Sequence, residues 1–476
     1  MPFRRRLLRA LVAAALVCVA CQGDDGPRFP LREPLASPTG ADTLVVGLVG
    51  TLSGPDSWRG EDAFEGADLG VHVLNRLRPE GSPPLELRPL DDEGDPATAT
   101  ALVEQLAGLG ATVGVIYAGP PAGLPPAEPA LARAGIPAVL CYGDLYGAGS
   151  LAPHLFQTSP SFVWEADRIA SYLLGDRAYG TVGALVEDST MGAAALAALG
   201  GAVGRRGGRL VGARHGEDEA GVRAGLRVLM RRRVEAVVTQ GSPADVSAVL
   251  RALRRMGATY KTTAAARLSP RPARGSARRR PWRPQPIGFD LAISPSLEGA
   301  RRGMVAADSY ARGAHYLPIA SMRRFREAFR AWWDSPPTGW ERRAFDAARM
   351  IGWAARRAGQ DDDLADVLEG LSGVRFSGLP VTFADGDHTS VDPDTIGLWV
   401  VPRPGIRVRE RVRREGFASF PWVPLARGFA NRRRVTHVLA ADRASLFRRS
   451  TSRRRSPPAY RRLRFGVRTP RTDPVH

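Results

Sequence analysis

The stretch Thr43–Asn75 reads TLVVGLVGTLSGPDSWRGEDAFEGADLGVHVLN. Its opening run, Thr43–Val49, is apolar without alternation, which suits a parallel strand covered on both faces. A loop through Gly54 and Gly60 follows, and the pattern then predicts a helix over Phe64–Leu77. Outward from there the alternation repeats. Strands are predicted at Leu85–Leu90, Thr112–Tyr117 and Ile136–Tyr142, with helices at Pro96–Leu109 and Pro125–Ala134. Proline at a first helical position costs nothing, because that N–H has no partner inside the helix. After the passage Pro153–Pro160 a second set begins. It has strands at Thr181–Glu187, Leu210–Arg214 and Val234–Thr239, and helices at Met191–Gly204, Glu219–Arg231 and Pro243–Arg255. Strands separated by helices of roughly 10–15 residues imply right-handed βαβ crossovers. Two such sets predict an α/β protein of two Rossmann-like lobes with parallel central sheets.

The pattern lapses over Thr259–Pro286. From Lys261 the chain reads KTTAAARLSPRPARGSARRRPWRPQP, which offers no apolar run long enough for a strand. A basic, disordered insertion that adds nothing to a core is expected here. Order resumes with a strand at Gly303–Ala307 and a helix at Ala320–Trp333, where Phe325, Phe329 and Trp332 form an apolar stripe. A helix at Phe345–Ala358 follows. Another ends at Leu368, with Asp361 and Asp362 at its start, where acids favour the helix dipole. Closing strands are expected at Val381–Phe383 and Ile396–Val401, then an extension over 404–430 and a disordered Arg-rich tail over 431–476.

At the other end, Arg4, Arg5, Arg6 and Arg9 precede the apolar run Leu11–Ala20, and Ala20 stands directly before Cys21. That run is too short to span a bilayer and suits the core of a signal peptide over residues 1–20. The Ala20–Cys21 junction resembles the lipobox of bacterial lipoproteins, with Cys18 where leucine is usual. The resemblance implies a lipid on Cys21, and Asp24–Asp42, with four prolines, reads as a tether. Removing the signal leaves about 455 residues, enough for two cored domains. Only Cys21 and Cys141 remain, so acylation of Cys21 would leave no internal disulfide.

The net charge of +19 is unevenly spread. Segments 267–283 and 431–476, together with the first nine residues, carry more than all of it, so the remainder is slightly acidic. The basic segments carry few aromatics among their arginines, and Lys261 is the single lysine, so no nucleic-acid partner is expected. Enzyme chemistry finds no footing either. The seven histidines show no HExxH or other metal-ligand spacing. There is no GxSxG elbow, and Asp385, Asp387 and Asp392 lack the glycine and terminal glutamate register of an EF-hand. Gly47, Gly50 and Gly54 do not form a dinucleotide fingerprint, and Cys141 reads as a small buried hydrophobe. No metal, cofactor or catalytic residue is assigned.

Several pieces recur in a fixed order. They are Ser53-Gly54-Pro55, Trp58, Gly60, Gly66 and Asn75; Asp91-Asp92 with Asp95-Pro96; Gly135-Ile136-Pro137; His154–Pro160; and Phe345-Asp346-Ala347. Together they resemble the type I periplasmic binding proteins, specifically the leucine/isoleucine/valine-binding family of ABC-transporter receptors. The resemblance implies three crossovers between lobes. Lobe one would be Thr43–Gln157 plus about 312–371, and lobe two 158–311 plus about 372–403. A small polar ligand would bind between them at the carboxyl ends of the strands, with hinge closure around it.

By the same resemblance, the loop Ala118–Gly123 (AGPPAG), with Gly119 and Ala122, stands where the family holds a ligand carboxylate. Here Pro120 and Pro121 have no N–H to offer. Asp188-Ser189-Thr190-Met191-Gly192 stands where the family has an aromatic, replaced here by Met191. Gln240 and Ser242, at the end of a lobe-two strand, offer polar contacts, and Trp58, Tyr117 and Tyr142 offer walls. Five of them have a plainer alternative. Trp58 and Tyr142 could be packing residues, Asp188 could hold its own loop, and Gln240 and Ser242 could cap the helix at Pro243, with Asp245 at its third position. The expected function is a lipid-anchored extracytoplasmic solute-binding protein of an ABC importer, partnered by a small-molecule solute and a membrane permease. The alternative is a lipoprotein of the same fold that binds a protein partner in a structural or regulatory role.

Overall fold

Five parallel strands form the first sheet: β1 (Leu44–Gly50), β2 (Leu85–Asp91), β3 (Thr112–Ala118), β4 (Ala138–Leu140) and β5 (Leu155–Gln157), in the order β2-β1-β3-β4-β5. The computed structural model describes residues 43–54, 56–145, 152–216, 218–258, 282–293, 304–309, 320–335, 337, 340–359, 362–378, 380–383, 387–391, 395–400 and 423–424. Strands β1 and β3 are buried along nearly their whole length, as their unbroken apolar runs require. The helices α1 (Trp58–Arg76), α2 (Pro96–Ala107) and α3 (Glu128–Ala134) alternate with them. Asp95 caps α2 by accepting from the Thr98 N–H, and Gly135 ends α3 in the left-handed conformation.

The chain then enters α4 (Phe162–Ala170), continued by a π-helical segment at Ser171–Asp176. The second set comprises β6 (Thr181–Glu187), α5 (Thr190–Arg205), β7 (Arg209–His215), α6 (Glu219–Arg231), β8 (Ala236–Gln240), α7 (Pro243–Arg255), β9 (Gln285–Gly288) and β10 (Val305–Ser309). Three helices return to the first lobe: α8 (Ala320–Trp333), α9 (Glu341–Ala355) and α10 (Leu364–Glu369). Short strands β11 (Val374–Arg375) and β12 (Pro380–Val381) pair with each other. Finally β13 (Ile396–Val400) and β14 (Val423–Pro424) extend the second sheet, whose order is β14-β13-β10-β9-β8-β6-β7.

Both faces of each sheet are covered. Val46, Leu48, Ile116 and Val139 of the first sheet share a core with Trp340, Ala347, Met350 and Ile351 of α9 and its approach. In the second, Val182, Ala184 and Val238 pack toward α4 and α5, while Leu185 and Val237 pack toward α6 and α7. Each such fully buried aliphatic side chain contributes roughly 1.5–3 kcal/mol. The two-lobed α/β fold with parallel sheets is therefore the one the sequence pattern implies.

Several local expectations are corrected. The strand that seemed missing after Gly257 is present: Gln285–Gly288 is fully buried between β8 and β10. Within the supposed insertion Trp282 also joins the core and donates from Nε1 to the Val234 carbonyl at 2.9 Å. Residues 259–281 lie outside the described residues. Val381–Phe383 is no strand of a main sheet. Val381 and Phe383 belong to the first lobe's core, so the part of the chain around 374–383 sits there rather than in lobe two. Ile396–Val400 closes the second sheet antiparallel to β10. Trp332 leaves the apolar stripe of α8 and is 44% exposed, stacked on His72 and donating to Asp68. The helix α4 and the strand β5 had no counterpart in the pattern.

Two passages between lobes run side by side. Gln157 N donates to the His388 carbonyl at 3.0 Å, and Ser390 N donates back to the Gln157 carbonyl at 2.9 Å. A third passage, between β10 and α8, falls on 310–319, outside the described residues. So do Cys21, the tether and the Arg-rich tail. No described helix is long and apolar enough to cross a membrane.

Candidate functional site

A cleft of about 840 Å³ opens between the lobes. Its walls are the segments just beyond the carboxyl ends of β1, β2, β3 and β4 on one side and of β6, β7, β8 and β9 on the other. Ligands of open α/β sheets bind at such ends, because the connections diverge there and leave a crevice.

The loop after β1 is held by the Asp91-Asp92 pair. Asp91 Oδ1 accepts from the N–H groups of Leu52 and Glu93, while Asp92 Oδ1 accepts from Thr51 Oγ1 and Gly94 N. The other Asp92 oxygen is buried without a hydrogen-bond partner, and burial pushes this carboxyl up to about 6. Glu65 on α1 is likewise pushed up to about 7 by burial and by Glu341. Both groups bind a proton more readily in the folded chain than in the unfolded one. Their contribution to stability therefore declines as pH rises from about 4 to about 7. Asp92→Asn keeps an oxygen acceptor for Thr51 and Gly94 and removes the buried charge. Urea denaturation at pH 4.5 and 7.5 is expected to show the variant gaining on the parent at the higher pH by on the order of 1–2 kcal/mol. Equal pH dependence in both proteins would refute this.

Of the expected site residues, Ala122, Tyr142, Asp188, Met191, Gln240 and Ser242 line the cleft. Trp58, Tyr117 and Gly119 do not. Trp58 opens α1 and stands edge-on to Tyr142 and Trp340, with ring centroids 5.8 and 5.5 Å away. Tyr117 is fully buried and donates to the Pro120 carbonyl at 2.6 Å. At Gly119 any Cβ would collide with the Asp92 carboxylate, so close approach explains the glycine. The AGPPAG loop is short of donors in three dimensions too: the Gly123 N–H is spent on the Pro120 carbonyl.

Tyr142 is 1% exposed, and its hydroxyl has no hydrogen-bond partner. Burial holds its phenol far above the usual range, so it stays neutral. Ser242 caps α7 in a reciprocal box with Asp245, the plainer of its two readings. Exposed Asp188 meets Arg214 at 3.1 Å. Met191 reaches toward the opposite lobe, its Cε 3.4 Å from where a Cβ of Gly143 would stand. Gln240 donates from Nε2 to Glu187 Oε1 at 3.1 Å, which leaves its buried Oε1 without a partner.

Among the cleft residues that sequence reasoning missed are Glu187 and His215. The signal was there: each is the last residue of a parallel strand in the second lobe, where side chains meet the crevice. Behind the cleft, Arg343 of α9 donates to Asp290 Oδ2, on the turn after β9, at 3.0 and 3.1 Å and to the Cys141 carbonyl at 3.2 Å. Arg343 also lies over the Trp340 ring, 4.4 Å from its centroid. This ion pair joins the lobes and is almost wholly buried. Burial pushes the Cys141 thiol up to about 12, so it behaves as an apolar filler. Among the described residues no group of three or more His, Cys, Asp and Glu side chains is placed to hold a metal ion.

Solved structures share this architecture. The periplasmic binding protein type 1 from Bordetella pertussis Tohama I superposes with a TM-score of 0.63 at 17% identity, over 77% of this chain and 99% of that one. A possible leucine/isoleucine/valine-binding protein from Rhodopirellula baltica SH 1 gives 0.62 at 19%, over 77% and 96%. The branched-chain amino acid transporter substrate binding protein from Streptococcus pneumoniae, solved in complex with isoleucine, gives 0.59 at 16%, over 76% and 96%. Such identities speak to the fold. No curated protein matches the chain. The family model described as periplasmic binding protein matches residues 43–396. The chain thus belongs to the periplasmic binding protein family, as a two-lobed solute-binding protein of the type I fold and not an enzyme.

Proposed function

We propose that this chain is the solute receptor of an ABC importer, held on the extracytoplasmic face of the membrane by lipid on Cys21. The cleft carries the reading. Its volume lies inside the roughly 300–1,000 Å³ of small-molecule sites, and it gathers polar groups from both lobes at the strand ends. The isoleucine-bound relative of the same fold adds support. Hinge bending at the paired passages through Gln157 and His388 would report occupancy to a permease.

The test is thermal unfolding of the purified chain against amino acids, amides, short peptides, amines and sugars. A ligand held only by the folded state raises Tm by mass action, and a rise of several degrees for one class is expected. In the same preparations, Cys21→Ser is expected to move the chain from the membrane fraction to the soluble one. A flat response from a cooperatively melting protein would favour the alternative, a lipoprotein of this fold that binds a protein partner.

A further inference from the structure

We infer that the cleft selects an organic cation, an amine or guanidinium compound without a carboxylate, through Glu187, Gln240 and His215. The inference rests on the receptor reading above and names the ligand class of the same site. The three residues end β6, β8 and β7, neighbours in the second sheet, so their side chains form one group on the lobe-two wall.

The hydrogen bonds fix what each can still do. A carboxylate only accepts, so Gln240 must turn its Nε2 to Glu187 and keep its Oε1 as an acceptor. A carbonyl also only accepts. The contact of His215 Nδ1 with the Gly216 carbonyl at 2.9 Å therefore puts a proton on Nδ1, and in that tautomer Nε2 is the ring's acceptor. Gln240 Oε1 and His215 Nε2 have no hydrogen-bond partner, in residues 4% and 3% exposed. Two unsatisfied acceptors beside a carboxylate call for a ligand that donates. Buried acceptors left without a donor are costly, and a charged donor returns the most.

The AGPPAG loop of the opposite wall gives a carboxylate few backbone donors. Pro120 and Pro121 have no N–H, and Arg59, the one arginine among the described cleft residues, faces Asp56 at 3.6 Å and keeps a buried Nε without a partner. Tyr142 borders the cleft as a neutral ring packed against Trp58 and Trp340. A zwitterionic amino acid would satisfy the acceptors with its ammonium and bring a carboxylate toward a loop poor in backbone donors.

Titration calorimetry of the full chain with 1,4-diaminobutane, agmatine, L-leucine and acetamide tests this. Either cation is expected to bind at least tenfold more tightly than L-leucine. Glu187→Gln is expected to weaken the cation by tenfold or more, and Gln240→Leu by severalfold, with cooperative melting kept in both. L-leucine or acetamide binding more tightly than both cations would overturn the inference and leave the receptor reading standing. Cation binding untouched by both substitutions would overturn the placement. Silence toward all four probes would count against the inference and the receptor reading together.

Discussion

Arg343→Ala is expected to lower the unfolding free energy by about 3–5 kcal/mol. Arg343 and Asp290 have side chains 1% and 2% exposed, and they meet across the lobes. Removing the guanidinium leaves the Asp290 carboxylate buried with its principal counter-charge gone, and it also strips a donor from the Cys141 carbonyl. Ionised groups of this kind are expensive when stranded, whereas an apolar pair of similar volume avoids the penalty. The double variant Arg343→Met/Asp290→Leu is therefore expected to recover most of the loss. Urea denaturation of parent, single and double variants measures both. A single-variant loss below about 1 kcal/mol, the range of a surface ion pair, would show that water reaches the bridge.

Gly66→Ala is expected to destabilise by an amount near the upper end of the roughly 1–3 kcal/mol that overpacking costs, although alanine is the better helix former. The reason is the crossing of α1 and α9. A Cβ at Gly66 would overlap the Glu341 carbonyl oxygen, and one at Gly70 would stand 2.7 Å from the Ala348 Cβ. On the α9 side, a Cβ at Gly352 would come within 2.5 Å of Leu74 Cδ1. Backbone meets backbone at Gly66, so no flexible side chain can yield. Gly204, near the end of α5, is the control. A Cβ there meets nothing within 4 Å, and Gly204→Ala is expected to stabilise by up to about 1 kcal/mol. Thermal unfolding of the two variants should move in opposite directions. A shift of the same sign in both would mean that helix propensity, not the crossing, governs Gly66.

The cleft was partly legible beforehand. The strand-end rule picks out Tyr142 and Gln240 and the family resemblance picks out Asp188 and Met191, and these residues do line the cleft. The same rule applied to final strand residues would have added Glu187 and His215. Trp58 and Tyr117 went the other way: large aromatics at loop edges find better burial against Trp340 and the β3 loop than on the cleft wall.

What the sequence by itself determined is the alternation of strand and helix, and through it the two-lobed class. Long apolar runs such as TLVVGLV and amphipathic helices such as Glu219–Arg231 carry their signal within a few adjacent residues. Only the tertiary structure decided the rest. Gln285–Gly288 becomes a strand because β8 and β10 leave a slot between them, although Pro286 and its polar neighbours argue against one locally. Arg343 and Asp290 find each other across 53 positions, and Glu187, His215 and Gln240 converge from three separate strands. Pairings of this kind depend on where the whole chain places its ends, and no local periodicity encodes that.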